Sequence, residues 1–172
     1  MKIIDSHCHI NFPELGEDID GLLKRMEENG VSKALCVSVE LEKFPEILDL
    51  ANRYPNIFAS VGVHPDHQNC EEPTVEQLVR LSSHPKVVAI GETGLDYFRS
   101  EGDTEWQRER FRVHIDAAKK TQKPLIIHTR EAGNDTLDIL RERGRGEVRG
   151  VMHCFTETLP FALASIELPS PL

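Results

Sequence analysis

The sequence has little that would anchor it in a membrane, cross-link it, or bind it to a polyanion through charge alone. No apolar run approaches the ~18 residues that span a bilayer. No basic segment followed by an apolar stretch opens the chain as a secretory leader would. The four cysteines, Cys8, Cys36, Cys70 and Cys154, are scattered without a CxxC pair. That spacing argues against a disulfide framework and against a cysteine-based zinc site; reduced core or near-core cysteines in a cytoplasmic protein are expected. Cations are in short supply, with 20 Lys and Arg against 29 Asp and Glu and a net charge of −9. This excludes a broad basic surface for nucleic acid. It does not exclude a phosphodiester substrate, because bound divalent cations invert the local field of an acidic cleft. Low-complexity tracts, Gly/Ser linkers and short repeats are also missing. At 172 residues, 39% hydrophobic and 28% charged, the chain suits one domain with a sizeable core and is too short for two. A single domain over 1–172 is the expectation.

What is present is alternation. Brief apolar runs read as strands at Lys2–His7, Lys33–Val39, Ile57–Val63, Val87–Glu92, Leu125–His128 and Gly150–His153. Helical patterns lie between and after them, at Asp18–Glu28, Phe44–Arg53, Val75–Leu81, Glu105–Thr121, Asp135–Arg143 and Thr158–Ile166. Strands alternating with helices imply βαβ units and a parallel sheet. Between an open doubly wound sheet and a β/α barrel, the polar residues favour the barrel. They stand at the C-terminal ends of many strands, whereas an open sheet gathers its site at one switch point.

A closed barrel of this type has eight such units, and six are visible. The chain ends in Glu167-Leu168-Pro169-Ser170-Pro171-Leu172, where two prolines prevent a central strand. The fold class expected is therefore α/β, a TIM-type barrel of about six of its eight units, lacking the last two strands through truncation, frameshift or natural loss.

Chemistry concentrates at the strand ends. In Asp5-Ser6-His7-Cys8-His9, residues two apart on a strand share a face, so His7 and His9 converge on one point. His64 ends the third strand, Glu92 the fourth, His128 the fifth and His153 the sixth. Imidazole suits zinc and other first-row divalent metals. A single such residue is equally a polar start to a loop; the set is poorly explained that way. His84 and His114 read as structural or surface residues, and His67 as a loop residue outside the ligand set. A glutamate between groups of histidines can bridge two cations that share a bound hydroxide as nucleophile. Gly91 and Gly94 flank Glu92 and permit close approach. Asp96 and Tyr97 are expected to line the mouth. Arg130 either contacts a phosphate bidentately or pairs on the surface with Glu131 or Asp135.

These motifs resemble the TatD family of metal-dependent hydrolases. The matching segments are DSHCH at Asp5–His9, VGVHP at Val61–Pro65, GETGLDY at Gly91–Tyr97, PLIIHTR at Pro124–Arg130 and HCF at His153–Phe155. The resemblance implies an eight-stranded barrel, a centre of two divalent ions (Zn, Mg or Mn), and 3′–5′ exonuclease-type hydrolysis of DNA. By position, His7 and His9 would hold one ion and His128 and His153 the other, with Glu92 bridging and His64 near the scissile group. Glu92 and His64 are the catalytic candidates, and His64, Asp96, Tyr97 and Arg130 the substrate-contacting ones. The family's further metal-binding aspartate, in an ETD-like motif near the end of the last strand, has no counterpart here. Amide, lactone or ester hydrolysis, or a catalytically impaired remnant, are the alternatives. No membrane and no obligate protein partner are expected, and open sheet edges are expected to promote self-association.

Overall fold

A computed structural model describes residues 2–168. Six strands, β1 (Ile3–Cys8), β2 (Val31–Cys36), β3 (Ile57–Val61), β4 (Val87–Asp96), β5 (Leu125–Arg130) and β6 (Gly150–Met152), form one sheet in chain order. Every neighbouring pair is parallel. The connections carry α1 (Pro13–Gly16), α2 (Ile19–Glu28), α3 (Phe44–Arg53), α4 (Val75–Ser82), α5 (Glu105–Thr121) and α6 (Gly133–Ile139), and α7 (Leu159–Ile166) follows β6. The expected strands and helices are thus present, with boundaries shifted by a few residues. Two elements differ more. The short α1, begun by Pro13 at its first turn, has no periodic signal at four residues. The helix expected at Asp135–Arg143 starts earlier, at Gly133, and widens into a π turn over Leu140–Gly144.

Local chemistry explains the boundaries. Asp18 accepts a hydrogen bond from the Gly21 amide and so caps α2; Thr74 does the same for α4 and Thr158 for α7. Pro45 and Pro160 stand in the first turns of α3 and α7, where a missing N–H costs nothing. Phe111, Ile115, Ala117 and Ala118 of α5 are buried in a core with Ile90, Leu125 and Ile127 of the sheet.

The sheet curls. Strands spaced ~4.8 Å apart would put β1 and β6 roughly 24 Å apart in a flat sheet. Yet the rings of His7, in β1, and His153, just past β6, stack with centroids 3.4 Å apart. The C-terminal strand ends therefore face a common interior, as in a β/α barrel. Among the described residues β1 pairs only with β2 and β6 only with β5, so these two strands are the edges. Ile3, Ile4, Val151, Leu159, Leu163 and Ile166 are exposed on or beside them. Pro169–Leu172, the segment expected not to form a strand, lies outside the described residues.

Candidate metal centre

Glu92 occupies the middle of the curled sheet. Its strand, β4, runs four residues past the expected end, and its pairing with β5 shifts register between Ile90 and Thr93. The irregularity turns the Glu92 backbone toward the interior, where its N–H donates to Ser38 O at 2.9 Å. Two buried serines brace the same point. Ser60 Oγ donates to Gly91 O at 2.6 Å and Ser38 Oγ to Gly62 O at 3.0 Å. Gly91 (φ 138°) and Gly94 (φ 133°) allow β4 to press on β5, since a Cβ on Gly94 would lie 2.0 Å from His128 O. The neighbour they admit is the backbone of β5.

Around the carboxylate the imidazoles fall into two groups. Glu92 Oε2 lies 3.3 Å from His7 Nε2, while Oε1 lies 3.3 Å from His128 Nδ1 and 3.5 Å from His64 Nε2. Donor atoms of His7, Glu92 and His153 lie within 4.8 Å of one another, as do those of His64, Glu92 and His128. The partition differs from the one implied by position: His153 stacks on His7 instead of joining His128, and His9 is in neither group. His9 still faces the interior. Its Nδ1 donates to Val37 O at 3.1 Å, leaving Nε2 free, and its ring stacks on Phe12.

Electrostatics sharpen the picture. Burial alone would raise the Glu92 carboxyl, but His128, His64 and His7 hold it well below the usual carboxylate range. Burial, reinforced by His7, lowers the imidazoles of His9 and His153, so both are neutral at pH 7. His64 is opposite: burial acts downward, but hydrogen bonds to Asp66 and Glu92 outweigh it and push it up to about 9.

This donor set fits divalent cations. Both ring nitrogens of His7 are buried and lack a hydrogen-bond partner among the described residues, because the 3.3 Å approach to Glu92 lacks hydrogen-bond geometry. Metal-bound histidines characteristically give their other nitrogen to a carbonyl or carboxylate. His9 does so with Val37 O, and His128 with Asp96, whose Oδ2 takes Nε2 at 2.9 Å.

Above the centre opens a cleft of about 650 Å³, lined among others by His9, His64, Glu92, His128, Arg130 and His153. Asp96 and Tyr97, expected at its mouth, lie behind the wall. Asp96 is 0% exposed, orients His128 and accepts the Arg99 amide; the Tyr97 hydroxyl donates to Asp135 at 2.6 Å. Asp135 also takes Arg108, and among the described residues it makes no ion pair with Arg130. The Arg130 guanidinium instead covers the Phe98 ring, 3.7 Å from its centroid.

Several residues near the site carried no sequence signal. Asp66 is hydrogen-bonded to His64 and to Arg99, and His67, set aside earlier, joins His64 and Asp66 in one cluster. From α5, Gln107, Arg110 and His114 present a buried polar stripe at helical spacing. Gln107 holds Asp96, Arg110 holds the carbonyls of His64 and His67, and His114 Nε2 accepts the Val63 amide. Helical periodicity marked that face of α5; only its contacts reveal what the polar members do.

Comparison with known proteins bears on the family and the fold. A family model described as TatD related DNase matches residues 4–170. The uncharacterized metal-dependent hydrolase YcfH of Escherichia coli K12 is 41% identical over 160 residues, covering 91% of this chain and 60% of that protein. Among solved structures, the TatD homologue YjjV of Escherichia coli K12 superposes with a TM-score of 0.86 at 32% identity, over 98% of this chain and 66% of that one. A TatD family hydrolase of Entamoeba histolytica gives 0.82 at 31%, over 94% and 60%. The chain thus spans about 60% of the length of the curated relatives it matches. Strand-end histidines around a buried glutamate, on a curled parallel sheet matched along nearly the whole chain, place it in the TatD family of metal-dependent hydrolases.

Proposed function

We propose that the protein hydrolyses phosphodiester bonds of DNA, releasing nucleotides from a 3′ end, with two divalent ions held around Glu92. The observation that carries this reading is the glutamate itself, whose two oxygens face separate imidazole groups. His7, His9, His128 and His153 supply the nitrogen donors. When bound, such ions provide Lewis-acid stabilisation of a phosphoryl group and activate water.

The chain's own residues provide the rest. Asp96 fixes the His128 ring by taking Nε2, so Nδ1 remains directed at Glu92. Asp66 holds His64 through Nδ1 and leaves Nε2 directed at Glu92, which supports assigning His64 to the reacting phosphate. Arg130 lines the cleft with its guanidinium braced on Phe98, and among the described residues its side chain makes no ion pair or hydrogen bond. Its N–H fork is free for two phosphate oxygens. Scattered free cysteines suit a cytoplasmic site of action.

The test is turnover of a 5′-labelled single-stranded oligonucleotide with magnesium, manganese or zinc, beside a panel of small esters and lactones. Stepwise shortening, absent in Glu92→Gln, is expected. Folded, metal-loaded protein that cleaves an ester but no DNA would replace this reading with the alternative hydrolase. One that cleaves neither would favour an impaired remnant.

A further inference from the structure

The loop after β3 carries a second convergence of donors, which shares His64 with one of the groups around Glu92. His64 directs Nε2 inward and Nδ1 outward to Asp66 Oδ1. His67 Nδ1 lies 3.5 Å from the same oxygen, is buried, and has no hydrogen-bond partner among the described residues. The three donor atoms lie within 4.8 Å of one another. Their scaffold is held from two directions. Arg99 Nη1 takes the other oxygen of Asp66 at 2.7 Å, leaving Oδ1 to the cluster. The buried Arg110 guanidinium clamps both ends of the loop, through His64 O at 2.9 Å and His67 O at 2.8 Å.

We propose that His64, Asp66 and His67 form a further cation site at the rim of the cleft, taking zinc or a similar first-row ion through two imidazole nitrogens and one carboxylate oxygen. Three protein donors with an open fourth position are the coordination zinc accepts. Magnesium is disfavoured, because it demands an oxygen shell and sheds water reluctantly. The Arg99 charge beside Asp66 opposes a cation, so this ion binds more weakly than those around Glu92. The site shares the His64 ring with the Glu92 centre but uses its other nitrogen, and its zinc uptake does not depend on the hydrolase reading.

Zinc uptake by the whole chain, followed by equilibrium dialysis with metal analysis, tests it. The wild type is expected to take up one more zinc than His67→Ala. Loss of an outer-shell partner costs metal affinity about 10–100-fold, and loss of a ligand costs at least as much. His84→Ala, altering a histidine in the loop before β4, is expected to match the wild type. Identical isotherms for wild type and His67→Ala overturn the site, as does an extra zinc lost equally in His84→Ala. Because the readout is zinc and not turnover, a protein inactive on DNA leaves the outcome interpretable.

Discussion

At the scale of the residue, Asp96 and Arg130 act at different distances from the reaction. Asp96 touches no cleft space and works by holding His128, so Asp96→Asn is expected to weaken metal binding about 10–100-fold. Metal content after dialysis against graded chelator measures this, and unchanged retention would show that the carboxylate does not orient a ligand. Arg130 faces the cleft and has no partner that its loss would strand. A hydrogen bond to a charged group contributes about 1.5–3 kcal/mol. Arg130→Ala should therefore raise KM for an oligonucleotide by about 10–100-fold with little change in kcat. Steady-state kinetics decide this; a fall in kcat at constant KM would place Arg130 in the transition state alone. The His-ended strands marked most of these atoms in the sequence. Asp66 and Arg99 were hidden because loop residues have no periodicity to read, and their meaning lies in contacts 33 positions apart.

At the scale of the element, α5 is both a core helix and a clamp on two site loops. His114 is buried and neutral, with burial pushing its pKa from 6.5 to about 4. As pH falls, the unfolded chain takes up this proton before the folded one. The associated stability is complete above pH 6.5 and is lost progressively toward pH 4. Over that interval the wild type should lose roughly 3 kcal/mol more than His114→Gln, with both proteins metal-free. Urea unfolding across the range checks the difference, and parallel curves would contradict it. Arg110 acts through the same face. Glu72, its ion-pair partner, is 60% exposed and rehydrates if the arginine is removed, so the ion pair itself contributes little. The two loop carbonyls lose the charged donor, keeping only the His67 amide at 3.2 Å on His64 O and the Cys70 thiol at 3.6 Å on His67 O, and Arg110→Leu should cost about 1–3 kcal/mol. Thermal unfolding reads that loss, and no destabilisation would mean that the clamp is slack.

At the scale of the whole molecule, the curl of six strands brings chain segments nearly 150 residues apart into ring contact, as His7 and His153 show. Among the described residues it also leaves two edges with unpaired backbone groups and exposed Ile4, Val151 and Leu159 beside them. Edges of this kind template further strand pairing. A preparation of this 172-residue chain should accordingly self-associate with rising concentration, and Ile4→Lys with Val151→Lys should reduce it. Sedimentation velocity over a concentration series tests this; a monodisperse wild-type monomer would refute it.

The sequence by itself determined the alternation of strands and helices, the parallel sheet, and which strand ends carry nitrogen and carboxylate donors. Those features are local, because a period of two or 3.6 and a polar residue closing an apolar run are visible within ten or so positions. Only the tertiary structure decided how the donors divide around Glu92, that Asp96 and Tyr97 stand behind the cleft, and that α5 braces its loops. Those outcomes depend on the curl of the sheet, the register shift in β4 and long-range hydrogen bonds. Such properties belong to pairs of distant residues, and no single segment encodes them.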